Sequence, residues 1–365
     1  MFRLQWLLGC FLAIPVYSQV TSVSALDTLP VTTRGHVAVG GYVDTYYGYN
    51  FNKPDDGNNP YFVSSARHNE LSVNLAYVDV RYRASNLRAR MAPGFGTYMD
   101  ANYKNELGTL SHLVEANVGV RLWPRRNVWL DMGVLTSPFT NESAISRDHL
   151  MYTRSFAPEN VPYYLSGARL TVPLGSKWTG YLWYLNGWQV IRDNNTGKSV
   201  ATQIEFRPAP RWLINWNTYT GDERAFFQPD FRTRFFNDLY CIYNGSGRFS
   251  FTTSVYYGVQ QRAGRSTAAW WQANAIGKMK LTDKVSLSGR VEYFDDPEAV
   301  MLANVNGGAG IRTGSAGLCV NVKVHDRALF RVEQRQFFGP DAVYVHSSKA
   351  VSGGALLVGS LTAWF

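Results

Sequence analysis

The chain has 365 residues, of which 45% are apolar, 15% aromatic and 17% charged, and its formal net charge is +9. The charged fraction lies below the roughly 25% of ordinary soluble domains, and so many aromatic residues exclude an intrinsically disordered chain. Beyond the N-terminus no stretch of about 20 consecutive apolar residues occurs, which excludes a helical membrane protein.

The N-terminus has the layout of an export signal. A basic residue precedes an apolar core from Leu4 to Val16, and small residues follow, which is the order of a secretory signal peptide. We predict that residues 1–25 are this peptide, with cleavage after Ser18 or after Ala25. A lipoprotein signal at Cys10 is disfavoured because the apolar core continues beyond it.

The rest of the chain alternates between apolar and polar residues. In residues 248–259, Phe249, Phe251 and Val255 share one phase, whereas Arg248 falls in the other. This alternation predicts β-strands with one apolar and one polar face. We predict sixteen strands, at 36–50, 69–83, 87–103, 109–123, 127–137, 165–175, 177–191, 198–207, 211–221, 232–243, 247–260, 268–280, 284–295, 308–324, 327–337 and 353–365.

The connections between these strands alternate between seven short turns and eight mostly longer loops. An outer-membrane barrel has this layout, with an even number of strands, short periplasmic turns and long outward loops. We therefore predict an all-β fold, a transmembrane antiparallel up-and-down β-barrel of about 16 strands (14–18). Residues 26–365 would form this single domain in the bacterial outer membrane.

A soluble secreted all-β protein would show the same alternation. Two features favour the barrel: the polar phase contains many large charged side chains, and the last strand places Leu357, Leu361 and Phe365 in one phase. In lipid a sheet must close without a free edge, and a final strand ending in Trp364 and Phe365 suits closure against the first strand. It also resembles the C-terminal aromatic signal of outer-membrane barrels.

Several short motifs stand out, namely Phe139-Thr140-Asn141-Glu142-Ser143, Tyr152 to Asn160, Asn186-Gly187-Trp188-Gln189, Arg234 to Asp238 and Arg290 to Pro297. Through these motifs the chain resembles the OmpL-like putative β-barrel porin-2 family of outer-membrane proteins over most of its mature length. The resemblance implies an outer-membrane barrel. It supplies no catalytic residues and says little about the solute.

If the apolar phase meets lipid, the polar phase faces a lumen that sixteen strands can keep filled with water. The candidate pore-lining residues are charged members of this phase: Arg88, Arg90, Asp100, Glu115, Arg121, Asp131, Arg169, Glu205, Asp238, Arg290, Glu292, Arg331, Glu333 and Arg335. Any one of them could instead only stiffen the wall through an ion pair. The basic balance predicts a modest preference for anions.

The connection at 138–164 is the longest and the third outward loop. Loops of this length are usually functional or disordered, and its aromatic residues argue against disorder. By analogy with sixteen-stranded porins, we expect this loop to fold inward and its charges to set selectivity. The alternative is an outer lid or a subunit contact. Its candidate constriction residues are Glu142, Arg147, Asp148, Arg154 and Glu159.

Enzyme motifs such as Gly-x-Ser-x-Gly, His-Glu-x-x-His and the P-loop are missing, so we expect no enzymatic activity, no cofactor and no metal. Two alternatives stay open. Residues 55–59, Asp-Asp-Gly-Asn-Asn, offer oxygen ligands for calcium, although a turn explains them, and His149 could serve a Ser–His hydrolytic site. Dispersed basic residues and the export signal argue against nucleic-acid binding.

We predict a passive diffusion channel for small hydrophilic solutes, surrounded by outer-membrane lipids. The alternative is a barrel plugged by its own loops that acts as a scaffold, adhesin or assembly subunit. A homo-trimer is expected by analogy with porins.

Overall fold

The structure, a computed structural model, describes residues 35–245, 247–307 and 310–365. The predicted signal peptide lies outside these residues. Sixteen strands form one closed antiparallel barrel, in which consecutive barrel strands pair and the last strand pairs with the first. The predicted sixteen-stranded barrel is confirmed, and every predicted segment contains a strand of the barrel.

The barrel strands are numbered in chain order, and a two-stranded hairpin, β16 with β17, lies in the last long loop. The strands are β1 His36–Asn50, β2 Leu71–Arg83, β3 Leu87–Phe95, β4 Leu113–Trp123, β5 Val128–Thr136, β6 Tyr164–Pro173, β7 Trp178–Leu185, β8 Ser199–Phe206, β9 Trp212–Asp222, β10 Phe231–Tyr243, β11 Phe249–Arg262, β12 Ala268–Lys280, β13 Val285–Asp296, β14 Ile311–His325, β15 Ala328–Phe338, β16 Tyr344–His346, β17 Lys349–Val351 and β18 Gly354–Trp364.

In the described part of the chain, two short α-helices lie in the connections between barrel strands, α1 at Thr97–Asn102 and α2 at Phe156–Glu159. The predicted strand at 87–103 was too long: β3 ends at Phe95, and Gly96 turns the chain into α1 with a φ of 126° that favours glycine. Among the described residues, neither helix has the length or the hydropathy needed to cross a bilayer.

The outward phase of the strands is apolar. On β14, for example, Leu318, Val320 and Val324 are 59, 44 and 56% exposed, whereas the alternate residue Cys319 is fully buried inside the barrel. Apolar side chains can form such an exposed belt only where hydrocarbon rather than water covers them.

The seam between β1 and β18 closes the barrel. The two strands pair from Tyr42 with Trp364 to Asn50 with Leu356. Beyond this ladder, Gly41 and Phe365 exchange both backbone hydrogen bonds at 3.0 Å. The predicted pairing of the last strand with the first is confirmed.

Residues 137–163, here called the third loop, connect β5 to β6 and fold into the barrel. Tyr152, Arg154 and Phe156 of this loop are fully buried. Near the long-loop end of the barrel, Phe156 packs against Phe62 and Phe294 with ring centroids 5.2 and 5.9 Å apart. The interior is therefore partly filled by the chain itself.

Other long loops roof this end of the barrel. On one side, Tyr61 donates a hydrogen bond to the carbonyl of Val343, and the amide of Asn306 donates to Ala342 O at 2.9 Å. On the other side, Glu106 accepts from the hydroxyl of Tyr164 at 2.9 Å and from the backbone N–H of the β7–β8 loop at 2.7 Å.

Candidate functional site

The barrel register decides which charged residues face the interior. Arg88 pairs with Gly119, Asp131 with Arg169, and Asn321 with Arg331 across neighbouring strands, so these positions share the inward phase. All the predicted wall residues except one belong to it. Asp100 is the exception and corrects the prediction, because it lies exposed on α1 at the end of the barrel.

The wall from β2 to β8 carries ion pairs near its short-turn end. Asp131 lies between two arginines: Arg88 donates two hydrogen bonds to it at 2.6 Å, and Arg169 donates at 3.0 Å. One carboxylate therefore fixes guanidinium groups from two different strands, β3 and β6.

A second cluster lies on the neighbouring strands. Asp79 accepts from Arg90 at 2.9 Å and from Arg81 at 2.9 Å, and Arg90 also pairs with Glu115. Farther along the wall, Glu205 accepts from Arg207 at 2.6 Å. Arg121 also faces inward and donates to the carbonyl of the β2–β3 turn at 3.4 Å.

The acids in these clusters lie beneath the arginines. The side chains of Arg88, Arg169 and Arg207 are 32, 24 and 28% exposed, whereas those of Asp131 and Glu205 are 1 and 9% exposed. On this part of the wall the guanidinium groups are therefore more accessible than the carboxylates with which they pair.

The opposite wall is covered by the third loop. Glu333 of β15 accepts the backbone N–H groups of Tyr152 and Thr153 at 2.8 and 2.9 Å. Arg331 donates to the Ser146 carbonyl at 2.8 Å, and Arg335 donates to the Arg154 carbonyl at 2.9 Å.

Two further strands hold the same loop. On β13, Arg290 donates to the Thr153 carbonyl at 2.7 Å and Glu292 accepts the Phe156 N–H at 2.5 Å. On β10, Asp238 accepts the N–H of Thr140 at 2.8 Å. Buried backbone groups of an irregular segment need such partners, and these wall residues supply them.

The charged residues of the third loop have different positions. Arg147 and Asp148 lie at its tip, with side chains 25 and 29% exposed. Arg154 is fully buried and donates to the carbonyls of Ala144 and Ser143 within its own loop. Because it is enclosed, Arg154 organises the loop rather than presenting a charge to the lumen.

The two predicted glutamates of the loop also accept hydrogen bonds from the protein itself. Glu142 accepts the Ser155 N–H at 2.9 Å, and Glu159 accepts the Val63 N–H at 2.6 Å and the Tyr163 hydroxyl at 3.1 Å. Burial raises the pKa of both carboxyl groups.

His149 is buried next to Ser143. Its Nε2 accepts the backbone N–H of Ser143 at 2.8 Å, and the Ser143 hydroxyl lies 3.4 Å away. Nδ1 therefore carries the proton. Because the Nε2 lone pair is occupied, this arrangement does not activate the serine hydroxyl. Burial, with Arg154 and Arg331 nearby, lowers the pKa of His149 well below 6.5.

Sequence reasoning missed two acidic members of the walls. Asp44 of β1 is buried and accepts from Asn74 at 2.9 Å, and Asp79 of β2 accepts from Arg81 and Arg90. Both lie in the inward phase of their strands, so a stricter reading of the alternation would have found them.

Comparisons with solved structures agree with the barrel fold. The DcaP outer-membrane channel of Acinetobacter baumannii matches with a TM-score of 0.61 and 12% identity, over 91% of this chain and 97% of that chain. A loop-deletion mutant of the Vibrio cholerae outer-membrane protein OmpT matches with a TM-score of 0.60 and 12% identity, over 91% and 99%. The anion-selective porin of Comamonas acidovorans matches with a TM-score of 0.59 and 10% identity, over 91% and 100%. At such low identities, the TM-scores show a shared fold alone.

No curated protein matches the chain by sequence. A family model does match: the family described as "Putative beta-barrel porin-2, OmpL-like" covers residues 36–365. The whole described barrel lies within that match, and the resemblance drawn from the sequence motifs is confirmed. The chain belongs to this family of porin-like β-barrels of the bacterial outer membrane.

Proposed function

We propose that the protein is a non-enzymatic channel for the passive diffusion of small hydrophilic solutes, with a preference for anions. The arrangement of arginines over buried acids on the β2–β8 wall carries this proposal. A lumen surface that exposes guanidinium groups and hides carboxylates attracts anions from the passing solution. The third loop narrows the passage by occupying the side of β10 to β15.

Single-channel recording in planar bilayers tests the channel. We expect stable ohmic steps from the purified protein. In a potassium chloride gradient, the reversal potential should have the sign of the chloride equilibrium potential. Steps whose reversal potential has the sign of the potassium equilibrium potential would contradict the anion preference. Absence of steps at all voltages would contradict the channel itself.

A loop-plugged barrel is the second candidate, in which the protein acts as a scaffold, adhesin or assembly subunit. The bonds from the third loop to β10, β13 and β15, together with the roof of long loops, favour it. A variant that lacks residues 143–151 distinguishes the two. A silent wild type with a conducting deletion variant supports the plug, whereas conduction by the wild type supports the channel.

We propose that the protein forms a homo-trimer embedded in outer-membrane lipid. A solved form of Vibrio cholerae OmpT that shares the fold is described as a trimer, which supports this assembly. Light scattering of the detergent-solubilised protein should give three times the mass of one chain after subtraction of detergent. The mass of one chain would contradict the proposal.

A further inference from the structure

The buried arginines inside this barrel share one hydrogen-bonding pattern, with one exception. In the described chain, four of the five buried arginines donate from both terminal Nη atoms to protein oxygens. These four are Arg154, Arg290, Arg331 and Arg335. The fifth, Arg234 of β10, is only 3% exposed, and neither of its Nη atoms has a hydrogen-bond partner among the described residues.

The side chain of Arg234 is held by other contacts. Its Nε donates to the amide oxygen of Gln260 at 2.9 Å. Its Cζ lies 4.8 Å from the ring centroid of Trp188 and 5.3 Å from that of Trp270. Cation–π contact with two indole rings compensates part of the desolvation of the guanidinium, but it gives the Nη–H groups no acceptor.

The carboxylates of this region are engaged elsewhere, and within the described residues none lies within 4.0 Å of Arg234. Glu223 accepts from the hydroxyl of Tyr219 at 2.5 Å. Asp296 accepts three backbone N–H groups, including that of Met301 at 2.7 Å. The unused donors of Arg234 are therefore not shared with a nearby acid.

A second unused donor lies in the same place. The Nε1–H of Trp270, whose ring contacts Arg234, is buried without an acceptor. Buried donors in native proteins almost always have a partner, because a buried donor left unpaired costs free energy. The two Nη groups of Arg234 and the neighbouring indole N–H of Trp270 thus have no protein acceptor among the described residues, and they are available to an anion from solution.

We propose that Arg234, Trp188 and Trp270 form a binding site for a small organic carboxylate. The guanidinium fork matches the two oxygens of a carboxylate, and the indole rings suit an apolar group next to it. Arg234 lies near the long-loop end of β10, and the half-buried Trp188 belongs to the β7–β8 loop that covers it. The site therefore lies at the long-loop end of the barrel, and its occupancy does not require the barrel to conduct.

Benzoate is a suitable probe, because it joins a carboxylate to an aromatic ring. The full detergent-solubilised protein is titrated with sodium benzoate by calorimetry at constant ionic strength, and benzyl alcohol serves as the uncharged control. We expect saturable binding of benzoate, no binding of benzyl alcohol, and a loss of about tenfold in affinity for Arg234→Gln. Arg234→Lys keeps the charge without the fork and should also lose affinity.

Arg224→Gln is the matched control, because Arg224 is a 55% exposed arginine in the neighbouring loop and the net charge changes equally. It should bind benzoate as the wild type does. The heat-dependent mobility of the barrel in gel electrophoresis checks that each variant is folded. Equal affinity in Arg234→Gln and wild type, or no saturable binding to the wild type, would overturn the proposal, the latter meaning that water alone solvates the guanidinium.

Discussion

Glu333 accepts the backbone N–H of Thr153 at 2.9 Å, although 180 positions separate the two residues in the chain. The same carboxylate accepts the N–H of Tyr152 and forms an ion pair with Arg290 at 3.0 Å. One residue of β15 thus fixes the middle of the third loop and neutralises a buried cation.

Glu333→Ala should release this part of the third loop. The change removes the acceptor of two N–H groups and leaves Arg290 with one fewer acid, and breaking a buried ion pair costs about 3–5 kcal/mol. We expect a lower unfolding temperature and faster hydrogen exchange in residues 150–156. Glu298→Ala is the control, because Glu298 is 42% exposed and its partner Arg262 keeps hydrogen bonds to the Ser266 carbonyl. Unchanged exchange in the loop would contradict this role.

Arg88→Gln should weaken the anion preference of the proposed channel. It removes a half-exposed positive charge, while Arg169 keeps Asp131 paired and the wall intact. The reversal potential in a potassium chloride gradient should move toward the potassium equilibrium potential. Arg126→Gln, an equal charge change in an exposed short turn, should leave it in place. Identical shifts in both variants would refute a local effect of Arg88.

Gly167→Ala should destabilise the wall at the base of the third loop. Gly167 has a φ of +154°, and a Cβ atom there would lie 2.1 Å from the Tyr184 carbonyl on β7. Backbone cannot move as a side chain can, so the pairing of β6 with β7 must shift. Urea unfolding should show a stability loss of about 1–3 kcal/mol. Gly277→Ala, where nothing lies within 4 Å, should be close to neutral.

Acid should loosen the third loop through His149. Its pKa is lowered well below 6.5 by burial and by nearby arginines, so the folded protein keeps it neutral. As pH falls below 6.5, the unfolded chain binds the proton first and folding loses free energy, about 1 kcal/mol at one pH unit lower. The raised pKa values of Glu142 and Glu159 act in the opposite direction.

A comparison of the wild type with His149→Gln separates these contributions. The variant keeps an acceptor for the Ser143 N–H but cannot titrate. Hydrogen exchange of residues 143–154, corrected for the intrinsic rate, should accelerate between pH 6.5 and 5.5 in the wild type and less in the variant. Equal acceleration in both would exclude His149 as the cause.

The strand pattern was predictable because one rule acts on every strand. Because lipid lies outside the barrel and polar groups lie inside, apolar and polar residues alternate along each strand, as in residues 248–259. Strand ends were less predictable: β3 ends at Phe95, because the positive φ of Gly96 turns the chain out of the strand. The inward position of most candidate wall residues follows from the same alternation.

Alternation does not reveal which inward residues remain exposed to water. Arg88 and Arg331 have the same phase and charge, yet one is half-exposed and the other fully buried under the third loop. The path of that loop depends on contacts that join it to distant strands, such as Glu333 with Thr153. A periodic pattern within one strand contains no information about such partners.

Ser146 touches both strands of the seam: Tyr42 of β1 at 2.8 Å and Thr362 of β18 at 3.3 Å. The residues that seal the cylinder are therefore also ligands of the segment inside it. A chain whose first and last strands have not yet paired cannot offer both contacts to Ser146. Closure of the barrel and docking of the third loop are therefore coupled, and a mutation that disturbs one should also disturb the other.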